Sequence, residues 1–331
     1  MPERITSRGR ALNYIRKRKK ARVEELRRHL GVSRQLIHRH LRNLIRGGLV
    51  VKSGKSPLVF YEMREAKEKI VTPDIPAANK EYLDSHYFWV SPTGDLLTGF
   101  KAFKAWAESV GQSQRLDFLA REYIAVREKA NAYFNRRGFI DATRKIEKTF
   151  NLRFIDKVFY SDFYSLPKYG KTRLGQLVLY AKQAQKINLI KKIGQEIRPK
   201  VREIIRSHKI GAIGFIPPTV PRQIQFLKEL EKILNLNLPK INFVKAYRGE
   251  IPVAQKTLSR LEERIENARR TIFIKDASVK YNRVLLIDDA VGSGASLNET
   301  AKKLKEEGIT RRVIGFAIVG SYKGFDVIRE I

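Results

Sequence analysis

The chain has 331 residues, enough for two or three domains, and its 67 Lys and Arg residues against 34 Asp and Glu residues give a net charge of +33. It contains no cysteine, which excludes disulfide bonds and thiolate zinc sites. No apolar run is long enough to cross a bilayer and the first ten residues lack the apolar core of a signal peptide, so we expect a cytoplasmic protein without a membrane partner.

The excess of positive charge is concentrated near the N-terminus. Residues 1–70 hold 20 Lys and Arg residues and 6 Asp and Glu residues. Such an excess opposes compaction by self-repulsion, and a polyanionic partner relieves it, so nucleic acid is the first candidate. A host proteome that is basic throughout, or an acidic membrane surface, is the alternative interpretation of the charge alone.

The apolar spacing in residues 1–64 predicts a winged helix-turn-helix domain. Two short amphipathic helices precede a third helix, which begins after a tight turn at Gly31, is capped by Ser33 and ends at Gly47. The segment SGKSP then separates two short apolar runs, as the tip of a β-hairpin does. The predicted apolar stripe of the third helix consists of Ile37, Leu41, Leu44 and Ile45. The predicted elements are residues 11–18, 23–30, 33–46, 49–52 and 58–61.

The exposed face of the third helix is typical of a DNA-recognition helix. Its arginine, glutamine and histidine side chains suit base edges and phosphates in the major groove, and lysines on the wing suit backbone phosphates. A protein-interaction module, or a charged face that is merely solvated, would show the same residue types. We expect double-stranded DNA as a partner, contacted by Ser33, Arg34, Gln35, His38, Arg39, Arg42, Lys52 and Lys55.

Residues 65–152 separate this domain from the remainder of the chain. The polar stretch 65–79 contains two prolines and is predicted to be a linker. The stretch HYFWVSPTGDLLTGF predicts two short strands joined by a turn, and the periodicity that follows predicts helices over 99–110, 116–134 and 140–152. No motif assigns a role to the mostly helical region 80–152, for which spacing, dimerisation and binding of a second ligand stay open.

Residues 153–331 alternate between apolar runs of strand length and amphipathic helical stretches. This alternation predicts an α/β domain with a doubly wound parallel sheet. The chain is thus predicted to be multi-domain, with an α+β winged helix, a helical middle region and a C-terminal α/β domain.

The stretch LLIDDAVGSGAS at residues 285–296 has the most specific chemistry. Its first residues form a buried strand, so Asp288 and Asp289 lie at the carboxyl end of that strand, where open α/β sheets bind ligands. The small residues 290–295 lead into a helix near Ser296, and their backbone amides together with the helix N-terminus suit a phosphate monoester. Because the carboxylates suit sugar hydroxyls, the stretch predicts a sugar phosphate as ligand.

Three other patterns fit this stretch poorly. A P-loop needs a lysine after the glycines, and a dinucleotide fingerprint needs a third glycine where Leu297 stands. A response-regulator receiver carries its acidic residues near the start of the domain, whereas this pair is close to the end of the chain.

The longer stretch VLLIDDAVGSGAS resembles the motif of type I phosphoribosyltransferases that binds 5-phosphoribosyl 1-pyrophosphate (PRPP). The resemblance implies that the two aspartates contact the ribose 2- and 3-hydroxyls and that the glycine-rich loop holds the 5-phosphate. The sequence departs from the usual motif at positions 290 and 292, where larger residues are customary. The resemblance assigns PRPP binding to Asp288, Asp289, Ala290, Val291, Gly292, Ser293, Gly294, Ala295 and Ser296.

Segments before this motif are similar to ComF-like phosphoribosyltransferases. In that family the segment matching 217–222 faces the pyrophosphate, which makes Thr219 and Arg222 candidates for that group. Arg222 and Arg264 could equally well be ordinary charged surface residues without a role in ligand binding. The resemblance also implies Mg²⁺ as a cofactor carried by PRPP, without a direct protein ligand. The matching segments are LPKYGKTRLGQLVLYAKQ, IPPTVPRQ and QKTLSRLEERIENARRTIF, the last through Gln255, Leu258, Ser259, Arg264 and Asn267.

A winged helix followed by a phosphoribosyltransferase fold resembles purine-repressor-type regulators, whose second domain senses PRPP. We therefore expect a homodimeric transcription regulator of nucleotide metabolism that responds to PRPP or a related sugar phosphate. Two alternatives stay open. One is an active ComF-like phosphoribosyltransferase acting on an unknown nitrogenous base, with residues 245–255 as a candidate lid. The other is a nucleic-acid-binding protein of the competence type with a vestigial pocket.

Overall fold

A computed structural model of the chain describes residues 6–54, 58–63, 75–247, 249, 251–276 and 278–322. The chain forms two compact units, Met1–Val71 and Thr72–Ile331. Every helix in the described ranges is too short or too polar to span a bilayer.

The N-terminal unit combines three helices with a small antiparallel sheet, as the sequence predicts. Its elements are α1 (Ser7–Arg18), β1 (Lys20–Ala21), α2 (Val23–Leu30), α3 (Arg34–Arg46), β2 (Val50–Ser53) and β3 (Phe60–Met63). The strand order is β1-β3-β2. Gly31 ends α2 with a φ of 66°, which lets the chain turn at once towards α3. The Ser33 hydroxyl caps α3 by accepting a hydrogen bond from the Leu36 amide at 3.3 Å.

The core of this unit is formed by the apolar faces of its three helices, packed on Val50 and Tyr61 of the sheet. The predicted apolar stripe of α3 is confirmed for Ile37, Leu41 and Leu44, which are buried. The prediction is wrong for Ile45, which is 39% exposed. One step along a helix turns a side chain by about 100°, so the residue after Leu44 leaves the buried face. Lys55, at the predicted wing tip, lies outside the described residues.

The C-terminal unit contains nine helices and twelve strands within its described residues. The helices are α4 (Ala77–His86), α5 (Gly99–Ser109), α6 (Leu116–Asn131), α7 (Thr143–Thr149), α8 (Arg173–Ala184), α9 (Ile187–Ser207), α10 (Phe226–Leu234), α11 (Leu261–Thr271) and α12 (Ala295–Glu306). The strands are β4 (Phe88–Val90), β5 (Leu96–Thr98), β6 (Ile140–Asp141), β7 (Lys157–Phe163), β8 (Ser165–Leu166), β9 (Gly170–Lys171), β10 (Ala212–Phe215), β11 (Lys240–Ile241), β12 (Phe243–Lys245), β13 (Ile272–Ile274), β14 (Tyr281–Val291) and β15 (Thr310–Gly320).

A six-stranded sheet in the order β11-β10-β14-β15-β7-β6 forms the centre of this unit. Five strands are parallel, and β6 pairs antiparallel to β7, so the sheet is mixed and not wholly parallel as predicted. Val284 and Leu286 face a core shared with α12, whereas Leu285 and Ile287 face a core shared with α8, α9 and α10. Helices therefore cover both faces, which is why this strand is apolar at every position.

The middle region differs from its prediction in three respects. Helix α4 begins at Ala77, inside the stretch predicted as a linker, and the preceding Ile75 is buried. Ile140 and Asp141 form the edge strand β6 and not a helix, because they pair with Tyr160 and Phe159 of β7. The helices α4 to α7 share one apolar core with the sheet, so these residues belong to the C-terminal unit.

Candidate functional site

The exposed face of α3 presents most of the predicted DNA contacts. Arg34, Gln35, Arg39 and Arg42 are exposed and His38 is half-buried, on the side opposite the buried stripe of the helix. None of the three arginines forms an ion pair with a described residue. Side chains at this spacing, free of internal carboxylates, suit bases and phosphates in a major groove. Lys52, on β2, is exposed as well.

The Ser33 hydroxyl caps α3, as the sequence predicts, so its role is first structural. A further basic surface was not predicted from the sequence. Residues 16–20 form an exposed basic corner between α1 and β1, and it continues in exposed Arg22. There the Nζ atom of Lys20 lies 5.0 Å and Cζ of Arg22 lies 4.7 Å from the ring centroid of Phe60. These cation–π contacts hold two cations beside the strand that leads away from the wing.

In the C-terminal unit, the predicted ligand residues surround one cavity of about 250 Å³. The cavity lies at the carboxyl ends of β10 and β14, which are adjacent parallel strands and therefore end at the same edge of the sheet. Lys182 and Lys245, which were not predicted as ligand residues, also line it, and so does Arg264, whose role the sequence left open. The predicted residues in its wall are Thr219, Arg222, Asp288, Asp289, Ala290, Val291, Gly292, Ser293, Gly294, Ala295 and Ser296.

The glycine-rich loop is shorter than predicted. Ala290 and Val291 still pair with Val319 and Gly320 of β15, so the strand ends two residues later and only residues 292–294 connect it to α12. Gly294 has a φ of 83°, and a Cβ atom there would lie 2.5 Å from Cδ1 of Ile146. The Ala295 amide donates to the Ser293 hydroxyl at 3.4 Å. The other amides at the start of α12 lack intrahelical acceptors, and such amides favour a negatively charged ligand.

The two aspartates differ in their surroundings. Oδ2 of Asp289 forms an ion pair with Nζ of Lys182 at a distance of 2.7 Å. Oδ1 of Asp288 accepts a hydrogen bond from the Asp289 amide at 2.7 Å. Burial, followed by the negative charge of Asp289, raises the pKa of the Asp288 carboxyl above its usual range. Hydrogen-bond donors on a ligand would therefore stabilise the ionised form of Asp288.

The two candidates for the pyrophosphate are already hydrogen-bonded within the protein. The Nζ atom of Lys245 donates to the Thr219 hydroxyl at 2.6 Å, and the Tyr247 hydroxyl donates to the Thr219 carbonyl at 3.0 Å. Nη1 of Arg222 donates to the carbonyl of Lys182. Burial lowers the pKa of Lys245 to about 8, although nearby Asp288 counteracts it. Lys245 can therefore provide a positive charge to an anionic ligand, whereas the hydroxyl of Thr219 is neutral.

Arg264 is buried and not a surface residue, since it is only 6% exposed. Its Nε and Nη2 atoms donate to the Leu258 carbonyl at 3.0 and 2.7 Å. A Cβ atom on Gly292 would lie 3.7 Å from Nη1 of Arg264, so the guanidinium lies beside the loop. The sequence interpretation did not name Lys182 or Lys245 as ligand residues, and it left Arg264 open between a functional role and ordinary surface charge. The reason is that α8, β12 and α11 meet only in the folded chain.

No group of three His, Cys, Asp or Glu side chains suited to a metal occurs among the described residues. The acidic groups in the wall of the cavity are Asp288 and Asp289, of which the second is paired with a lysine. A divalent cation at this site would thus take much of its coordination from the ligand itself.

Comparisons with known proteins bear mainly on the N-terminal unit. No curated protein matches the chain. Among solved structures, the chain is similar to a hypoxanthine phosphoribosyltransferase from Staphylococcus aureus, with 13% sequence identity, coverage of 43% of this chain and 82% of that chain, and a TM-score of 0.24. Residues 6–57 match the model of the MarR family. The chain therefore carries a MarR-family winged-helix domain in those residues.

Proposed function

We propose that the protein is a DNA-binding transcription regulator whose C-terminal unit senses PRPP or a related sugar phosphate. The MarR-family match supports DNA binding and transcription regulation. The observation that carries the sensing part is the cavity in which a carboxylate pair, a glycine-rich loop at a helix N-terminus and several cations converge. Each feature suits one part of a phosphorylated sugar.

The charge of the cavity favours a polyanion. Its wall contains four basic side chains, namely Lys182, Arg222, Lys245 and Arg264, and two carboxylates, Asp288 and Asp289. In a partly desolvated cavity such an excess is offset best by a ligand with more than one negative group. A sugar monophosphate meets this need in part, and a sugar that also carries a pyrophosphate meets it more fully.

The ligand would be oriented by the order of groups along the end of β14. The aspartates accept hydrogen bonds from the sugar hydroxyls, and the amides of the first turn of α12 hold the phosphate ester. Lys245 lies towards Asp288 and Thr219, where a pyrophosphate and its Mg²⁺ would find a positive charge. Mg²⁺ carried by the ligand would shield the pyrophosphate oxygens, beside the positive charge of Lys245.

The regulatory output would be a change in affinity for an operator. MarR-family proteins bind DNA and typically act as dimers, so a homodimer with two recognition helices on a two-fold operator is the arrangement that we propose. Ligand binding must then favour one arrangement of the dimer over another, because only a difference in ligand affinity between two states shifts their equilibrium.

The test compares DNA binding with and without ligand. We expect PRPP with Mg²⁺ to change the affinity of the wild-type protein for its selected operator by about five- to 150-fold, the usual range of allosteric coupling. The variant Asp288→Asn with Asp289→Asn should lose this response while its ligand-free DNA affinity is unchanged. Glu262→Gln with Glu307→Gln, which changes two exposed carboxylates that line neither cavity of the unit, is the matched control. Loss of ligand-free DNA binding in the aspartate variant would contradict the proposal.

A second candidate function is phosphoribosyl transfer. A further cavity of about 220 Å³ lies beside the segment that follows β12, and Tyr247, Ile251, Val253 and Asn267 are in its wall. An aromatic ring, aliphatic side chains and an amide suit a nitrogenous base. Arg248, in the predicted lid turn, lies outside the described residues. Release of pyrophosphate from PRPP with a panel of purines, pyrimidines and orotate would favour the enzyme, and its absence with every base would favour the sensor.

A further inference from the structure

Arg264 is a buried guanidinium without a compensating carboxylate. It is 6% exposed, and no Asp or Glu side chain in the described part of the chain lies within ion-pair distance of it. Burial lowers the pKa of Arg264, yet arginine stays protonated in proteins, so a positive charge is enclosed here. Enclosing a charge without a counter-ion is costly, which makes the residue a candidate for binding an anion.

The hydrogen bonds of Arg264 fix the direction of its free edge. Nε and Nη2 are both held by the carbonyl of Leu258, just before α11 begins. Nη1 has no hydrogen bond to that carbonyl and lies near the loop, since a Cβ atom built on Gly292 would be 3.7 Å from it. Gly292 has no side chain to fill this space, and both residues line the same cavity.

The same space is bordered by the start of α12. Gly292 and Ser293 precede the N-terminal turn of that helix, and both line the cavity together with Arg264. Backbone amides and a guanidinium both donate hydrogen bonds and neither accepts them, so the two groups together suit one tetrahedral anion in this part of the cavity.

We propose that Arg264 is the charged half of a phosphate site and that a phosphate ester binds between its guanidinium and the amides of residues 292–296. This inference rests on the proposed function, and it adds that the ligand's monoester phosphate, not its pyrophosphate, neutralises Arg264. The role of Lys245 is separate, because its amine contacts Thr219 near Asp288.

The test uses the full-length protein with ribose 5-phosphate and inorganic phosphate as probes, titrated calorimetrically. Arg264→Gln should weaken binding of ribose 5-phosphate by about tenfold or more, as loss of a charged hydrogen bond does. Arg260→Gln removes the same charge from a 79% exposed side chain at the start of α11 and should leave the affinity within about twofold of wild type.

The melting temperature without ligand distinguishes an anion-binding arginine from one that only stabilises the fold. Removing an uncompensated buried charge should leave the melting temperature unchanged or raise it, whereas phosphate should no longer raise it further. Arg264→Met, with an apolar side chain of similar length, should behave alike and covers the case in which the glutamine variant does not fold.

Two results would overturn the inference: equal phosphate affinity in the Arg264 and Arg260 variants, or no phosphate binding by the wild-type protein. Failure of the proposed function is distinguishable from either. If phosphate binds through Arg264 but PRPP does not alter DNA binding, the inference stands and the regulator proposal fails. If PRPP alters DNA binding equally in the Arg264 variants, the reverse holds.

Discussion

Gly294 is the position in the glycine-rich loop where the addition of one methyl group should lower the stability of the fold most clearly. Its φ of 83° is in the left-handed region, which costs a residue with a side chain about 1–2 kcal/mol. The new Cβ atom of Gly294→Ala would also lie 2.5 Å from Cδ1 of Ile146, a buried side chain. Because that atom is the end of a side chain that can move, we add about 1 kcal/mol for overpacking.

The expected loss of stability is therefore about 2–3 kcal/mol for Gly294→Ala. Gly292→Ala is the matched control, since its Cβ atom would be in ordinary contact at 3.7 Å from Arg264 and its backbone has no positive φ. We expect this variant to change stability by less than about 0.5 kcal/mol. Urea unfolding of the full chain, followed by far-ultraviolet circular dichroism, gives both values.

A second substitution separates the two costs. Ile146→Val removes the Cδ1 atom, so Gly294→Ala in that background should lose only the conformational cost, and the two changes should not be additive. Equal stabilities for the Gly292 and Gly294 variants would show that neither the left-handed backbone at Gly294 nor the approach of Ile146 limits this position.

Two further predictions concern ligand and DNA. Burial lowers the pKa of Lys245 to about 8, and a bound polyphosphate should raise it. Affinity for PRPP with Mg²⁺ should therefore fall, by at most about tenfold per pH unit, as pH rises through 8 and this amine loses its proton. Calorimetry across this range checks it, and Lys245→Met should bind more weakly without the fall; a fall that persists in Lys245→Met contradicts the assignment. On the DNA side, Arg34→Ala and Gln35→Ala should relax sequence preference, whereas Lys52→Ala should weaken binding to all sequences and reduce the salt slope by about 1, as fluorescence anisotropy at several salt concentrations would show. The opposite pattern would mean that α3 is not the recognition helix.

The N-terminal domain could be predicted well because its signals are local. Gly31 and Ser33 act within one turn of the chain, and the apolar spacing of α3 follows from helical geometry. The one error in that stripe, Ile45, came from treating neighbouring apolar residues as one face. In the same way, the apolar run before Asp288 predicted a buried strand, and β14 contains it.

The parts that were not predicted depend on contacts between distant segments. Ile140 has helical neighbours in sequence but pairs with β7, and nothing in its own segment indicates that strand. Lys182, Lys245 and Arg264 belong to three elements that the fold brings to one cavity. The burial of Arg264 could not be predicted either, because a charged residue on an amphipathic helix is usually exposed.

The most direct test of the central claim is a calorimetric titration of the full-length protein with PRPP and Mg²⁺. We predict binding at one site per chain, with a dissociation constant in the micromolar range, and loss of that binding in the Asp288→Asn, Asp289→Asn variant. Absence of any binding at millimolar PRPP would show that the cavity around Asp288 and Arg264 is not a PRPP site.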